Sequence, residues 1–284
     1  MRIIGALLLV WLLSACSAVK IVYNQSPDLL YFWLDGQLDF SSAQSPKVRD
    51  DLVNLQDWHR RTQLLPYAEM LRNLEQKMNV SLTPSEVCTL VDDARDKIDA
   101  IITQAEPAVT ATAISLSTAQ LQHLEQRNAK ANAEWRVKWL DASPASLVKL
   151  RLTQYEDRLE MLYGKLTDTQ REQLREAVQA SRFDGAPGHR ERLRRQRDTV
   201  DTLQAIMGGR LPLPQAQALM QAYLKRSSRS PDPAYRIHIQ TQIQAACELV
   251  SRVHNSTNAE QRTTAIKRLQ AYQRTARELA TVGR

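Results

Sequence analysis

The chain has 284 residues, with 38 Lys and Arg against 31 Asp and Glu, a net charge of +7. That balance is mild for the length: it permits attraction to anionic lipid and does not call for a nucleic-acid partner. Leu, Ala, Arg and Gln dominate, all strong helix formers, and no alternating β-rich stretch competes with them.

The first residues read as a targeting segment. Arg2 supplies a positive start, and Ile3 to Leu13 form an almost unbroken apolar run. The run is shorter than the roughly 20 residues a membrane-spanning helix needs and fits the apolar region of a signal peptide. It ends in Leu13-Ser14-Ala15-Cys16, which resembles the lipobox of bacterial lipoproteins. The resemblance implies cleavage before Cys16, diacylglycerol on its thiol and a further acyl chain on its freed amine. Ser17, in place of an Asp, implies the periplasmic face of the outer membrane as the destination. The expected organisation is a signal peptide over 1–15, a lipid-anchored segment over 16–26 and a helical domain over 27–284. Losing residues 1–15 removes one charge, Arg2, leaving +6. With Cys16 consumed by lipid, Cys88 and Cys247 remain as a pair in an oxidising compartment, which predicts one disulfide. Cys88 lies between Val87 and Val91, and Cys247 between Ile243 and Val250, so each faces a core. Two buried free thiols are the alternative.

Downstream, helix starts are marked by Pro after Ser or Thr at Ser26-Pro27, Ser45-Pro46, Thr83-Pro84 and Ser143-Pro144, since Pro is pre-organised for the first helical position. Capping boxes, in which a Ser or Thr and a Glu or Gln three residues on satisfy each other's orphan amides, fall at Thr83/Glu86, Ser117/Gln120, Thr167/Gln170 and Thr257/Glu260. The parse predicts an all-α, elongated multi-helix bundle of about nine to eleven amphipathic helices. Their expected ranges are 27–39, 46–63, 67–79, 84–105, 117–141, 144–165, 168–181, 188–207, 214–226, 234–254 and 258–280. Leu147, Leu150, Tyr155, Leu159, Leu162 and Leu166 form one apolar stripe; Ile243, Cys247, Val250 and Val253 form another. The polar stretch 225–233 is the best candidate for a sub-boundary. Leu29-Leu30-Tyr31-Phe32-Trp33-Leu34 must be buried or stand exposed as a binding patch.

Little in the chain suggests catalysis. None of the five histidines pairs with another at metal-ligand spacing, and Gly208-Gly209 lacks the context of a phosphate loop. No cofactor or metal is implied. Trp58-His59-Arg60-Arg61 is the most site-like run, and its ordinary account is a Trp packing inward while polar neighbours face water. Arg190, Arg194 and Arg197 share one helix face, an anionic-ligand candidate, although Glu191/Arg195 and Arg197/Asp201 at i, i+4 offset part of the charge.

Tyr31-Phe32-Trp33-Leu34-Asp35, Trp58 to Leu64, Tyr163-Gly164-Lys165-Leu166-Thr167 and His254-Asn255-Ser256-Thr257, with the lipobox, resemble a family of uncharacterised proteobacterial lipoproteins across nearly the whole chain. That resemblance implies localisation and a helical fold. Leu166-Thr167-Asp168-Thr169-Gln170 is also similar to the LTxxQ motif of Spy/CpxP-type periplasmic chaperones, with near misses at Leu82 to Glu86 and Leu116 to Gln120. The expectation is a membrane-anchored protein that acts by binding, as an interaction or chaperone-like module. Its partner would be an envelope protein or anionic lipid. The rival is an enzyme acting on cell-envelope substrates, which would need a pocket joining His59 or His254 to a nucleophile or carboxylate.

Overall fold

The computed structural model describes residues 19–181 and 183–281; the expected signal peptide, Cys16 and Ser17 lie outside them. Every regular element among the described residues is helical. We label the helices α1 (Ser26–Leu38), α2 (Ser45–Thr62), α3 (Leu64–Gln76), α4 (Pro84–Ser115), α5 (Thr118–Trp139), α6 (Pro144–Tyr163), α7 (Asp168–Ala180), α8 (Ala186–Ile206), α9 (Leu213–Ser228), α10 (Pro233–Asn255) and α11 (Ala259–Thr281).

Most helix starts follow the local rule that suggests them. Thr83, Ser117 and Thr167 each accept the amide of the Glu or Gln three residues on, completing capping boxes. Four starts or ends differ. Ser26 is not a cap, because helical backbone already runs through residues 19–24 and on into α1. Pro27 sits inside that path and cannot bond the carbonyl of Tyr23, one turn back; Gln56 Nε2 donates to that carbonyl instead. Ser45 yields its capping role to Ser41, which exchanges bonds with Gln44. The cap of α11 is Asn258 with Gln261, one residue past the expected Thr257/Glu260. Finally, α4 continues through Pro107 to Ser115, ten residues beyond the expected end.

Two pairs of helix starts are joined by one device. Gln170 and Gln261 donate to each other's side-chain carbonyls, at 3.0 and 2.8 Å. Gln170 also donates to the Ser256 carbonyl and Gln261 to the Lys165 carbonyl. Each acceptor lies two residues before the opposite cap. Gln44 and Gln120 repeat the pattern, bonding each other at 3.3 and 2.8 Å and donating to the carbonyls of Ser115 and Asp39. The first junction holds α7 to α11, and the second holds α2 to α5. All four amides answer backbone groups that would otherwise be orphaned near helix ends.

α4 is the spine, packed against α2, α8, α9 and α10. Cys88 on α4 and Cys247 on α10 are joined as a disulfide, with Cα atoms 5.5 Å apart, inside the range such a bond needs. Around it lies the largest apolar cluster, including Met78, Leu82, Leu159, Leu166, Leu174, Val253 and Leu269. α3 and α11 run antiparallel, with Leu64 against Leu279 and Ala280 at one end. Gln270 and Gln273 reach Glu75 at the other. Separate apolar clusters form where α1 and α2 meet Leu116 and where α9 meets Ala113 and Ile206. The polar stretch 225–233 contributes its first half to α9 and α10 begins at Pro233. Its buried Ser230 donates to Glu191 on α8. Among the described residues no helix is long and apolar enough to cross a membrane.

Candidate functional site

The sites suggested by titratable residues resolve into structural networks. His59 bridges two phenols, with Nδ1 3.0 Å from Tyr23 Oη and Nε2 3.2 Å from Tyr67 Oη. Burial lowers its pKa, pushes Tyr23 up to about 12 against the opposing Arg60, and raises Tyr67. The trio ties residues 19–24 to α2 and α3. His254 is fully buried. Its Nε2 donates to the Val80 carbonyl at 2.8 Å, so its Nδ1 accepts from Tyr163 Oη, also at 2.8 Å. Burial lowers the pKa of His254 and raises Tyr163 to about 12. Among the described residues neither histidine bonds a carboxylate or an aliphatic nucleophile. Among the described residues no three His, Cys, Asp or Glu side chains are grouped to hold a metal.

The three arginines of α8 part company. Arg190 and Arg197 are exposed. Arg194 turns toward the protein and bonds Glu191, Asp198 and the Arg226 carbonyl. Arg195 also bonds Glu191, as its i, i+4 spacing suggests. Asp198, already paired with Arg194 on α8, also takes the Arg226 guanidinium from α9. Arg197 and Asp201 form no ion pair among the described residues. Arg194 therefore belongs to a buried-carboxylate network, and the outward-facing charge rests on Arg190 and Arg197.

Among the openings between the described helices, two contrast in their lining. A groove of about 1150 Å³ runs between α4 and the α9–α10 corner. Asp92, Asp96 and Asp99 contribute acids from α4, and Arg195, Arg229 and Arg236 contribute bases from across it, so its charge is largely self-complementary. The second is an apolar cleft of about 440 Å³ enclosed by α1, α2 and α4. Leu34 and Leu38 come from α1, Val48, Leu52 and Leu55 from α2, and Leu203 from α8. The facing side of α4 carries Ala105, Ala108, Val109 and Thr112. Small side chains at 105 and 108, one turn apart, leave room that a larger residue would fill. At the lip Lys47 bonds Asp51 at 2.7 and 2.8 Å, so the two charges cancel locally. Such a cleft can bury apolar atoms.

Residues 36–210 match a family of unknown function, DUF6279. The chain belongs to that family. The matched region runs from the end of α1 past the end of α8. It carries the cleft lining except Leu34, together with Cys88 and the three arginines. Cys247, Gln261 and the helices α9 to α11 lie beyond it. No curated protein and no solved structure matches the chain.

Sequence reasoning missed the cleft because it is made of ordinary leucines and alanines, whose types do not announce a gap between helices. The one available signal was the run of small residues at the end of α4, a stretch not expected to be helical.

Proposed function

We propose that this is a lipid-anchored protein of the periplasmic face of the outer membrane that works by binding, as an interaction or chaperone-like module. The cleft between α1, α2 and α4 takes an apolar segment of the partner. The observation that carries the reading is the cleft's composition: leucine, valine and alanine walls, with its Lys47–Asp51 lip neutralised. Leu13-Ser14-Ala15-Cys16 supports the anchor. The Thr167-x-x-Gln170 motif adds nothing to partner contact, since Gln170 is buried and spent on joining α7 to α11.

The test is suppression of aggregation of a reduced, unfolding client protein by the mature chain, beside the Ala108→Phe variant, which fills the cleft. Suppression by wild type and its loss in a folded variant is the expected result. Equal suppression by both, or none by wild type, overturns the reading.

A second reading has its own observation. Arg190 and Arg197 remain exposed on α8 and could hold phosphate-bearing headgroups near the anchor.

A further inference from the structure

Helical backbone from residue 19 to Leu38 buries one side and leaves the other bare. Tyr31, Leu34 and Leu38 pack into the cluster with Phe40 and Val48, and Tyr23 packs beside Leu64. Opposite them Ile21, Val22, Leu29, Leu30, Phe32 and Trp33 are all exposed, the last two at 63% each. At about 100° per residue these side chains, with Val19, occupy one continuous half of the helix surface. Only Gln25, Ser26, Gly36 and Gln37 share that half. The charged residues of the helix, Lys20, Asp28 and Asp35, fall at its edge or on the other side. Lys20 is paired with Glu278 and Asp28 with Arg49. An apolar half-cylinder of this length, with uncharged interior and paired charges at the border, is unusual on a surface that meets only water.

The chain just before it says what covers it. Val19 stands three residues after Cys16, so an acylated Cys16 holds the start of the helix within about 10 Å of the lipid headgroups. No flexible Gly- or Ser-rich tether separates the two. Helices with one apolar and one polar side lie in the plane of the headgroup–acyl boundary, where Trp is enriched.

We propose that the outer face of residues 19–38, with Phe32 and Trp33 at its centre, lies in the interface of the bilayer that holds the Cys16 anchor. This rests on the lipid-anchored reading above. The helix then separates the membrane from the cleft, with Trp33 on its outer side and Leu34 and Leu38 on its inner side. The anchor alone would leave the body free to swivel; the face fixes one orientation against the lipid.

The test uses the full-length processed protein, reconstituted into phosphatidylcholine vesicles whose acyl chains carry bromine, a short-range quencher of Trp fluorescence. The mature chain keeps Trp33, Trp58, Trp135 and Trp139. Clear quenching of wild type that is mostly lost in Trp33→Phe is the expected result. Quenching unchanged in Trp33→Phe, or absent in wild type, overturns the proposal. So does an unquenched Trp33 in protein that sediments as a dimer broken by Leu29→Ser with Trp33→Ser, which assigns the face to a second copy. Metabolic acyl labelling of the same preparation separates the two readings. Label with no quenching leaves the anchor standing and overturns the docking face. Quenching without label does the reverse.

Discussion

The side-chain amides of Gln170 and Gln261 bond each other in both directions, 91 residues apart in sequence. Each also closes its own helix cap, accepting the amide of Thr167 or Asn258, so one group serves a local and a long-range purpose. Removing one takes a donor and an acceptor from its buried partner and leaves a backbone carbonyl near the opposite cap unanswered, a loss of about 1–3 kcal/mol. Gln170→Ala and Gln261→Ala should each lower stability by that amount in urea unfolding. The double mutant should lose less than the sum, by a coupling of about 0.5–3 kcal/mol. The exposed Gln240→Ala should change stability by less than about 0.5 kcal/mol. Strict additivity of the pair would show that the amides do not act on each other.

The Cys88–Cys247 bond closes a loop of 159 residue steps, for which chain entropy gives at most about 5 kcal/mol. Reduction, or Cys88→Ser with Cys247→Ser, should lower the urea midpoint without changing the helical circular dichroism of the folded protein. Non-reducing mass spectrometry of protein taken from the periplasm should find no alkylatable thiol at either position; two such thiols would refute the bridge.

Glu191 should make stability depend on acid. Burial raises its pKa, but hydrogen bonds from Arg194, Arg195 and Ser230 outweigh that and hold it at about 2. An unfolded Glu titrates near about 4.3. The folded pKa is the lower, so the stabilisation is complete above about pH 4.3 and is lost as pH falls toward about 2. Glu191→Gln should destabilise the protein by about 3 kcal/mol near neutral pH, since it removes the charge that Arg194 and Arg195 share and with it the pKa difference between about 4.3 and about 2. It should also flatten the fall in urea midpoint between about pH 5 and about pH 2.5. An unchanged acid dependence would remove Glu191 from the account.

Cys16→Ser should abolish acyl labelling and give protein that is either soluble in the periplasm or retained with its signal uncleaved. Fractionation with metabolic labelling reads both. Membrane association and label that both survive the substitution would contradict the anchor.

Arg190→Glu with Arg197→Glu should weaken association of the protein with anionic vesicles relative to neutral ones, and added salt should weaken wild type likewise. Arg194 must be left in place, because its loss would break the Glu191–Asp198 network and confuse binding with stability. Flotation that shows no preference of wild type for anionic vesicles would reduce Arg190 and Arg197 to solvated surface.

Helix existence and most starts were legible in the sequence alone. A capping box such as Thr83/Glu86 or Thr167/Gln170 is complete within four residues, so composition and spacing contain the whole interaction. The start of α1 departs from the local rule because a distant group intervenes. Ser26-Pro27 looks like a start, yet helix continues through it because Gln56, 33 residues away from Tyr23, takes the carbonyl that Pro27 leaves. The cysteine pairing was readable because the lipobox resemblance sets Cys16 aside and leaves two candidates. That argument counts residues and needs no geometry until the 5.5 Å separation is measured.

By itself the sequence determined an all-α chain, its helix boundaries to within a few residues in most places and the two cysteines that are candidates to pair, because each depends on near neighbours or on a count. Only the tertiary structure decided that Gln44 meets Gln120, that Arg194 turns inward while Arg190 and Arg197 do not, and that α1 keeps Trp33 bare while Leu34 lines a cleft. Phe32, Trp33 and Leu34 are adjacent apolar residues with the same intrinsic wish to leave water. Which of them is granted burial depends on where α2 and α4 lie, and no property of the residues themselves carries that information.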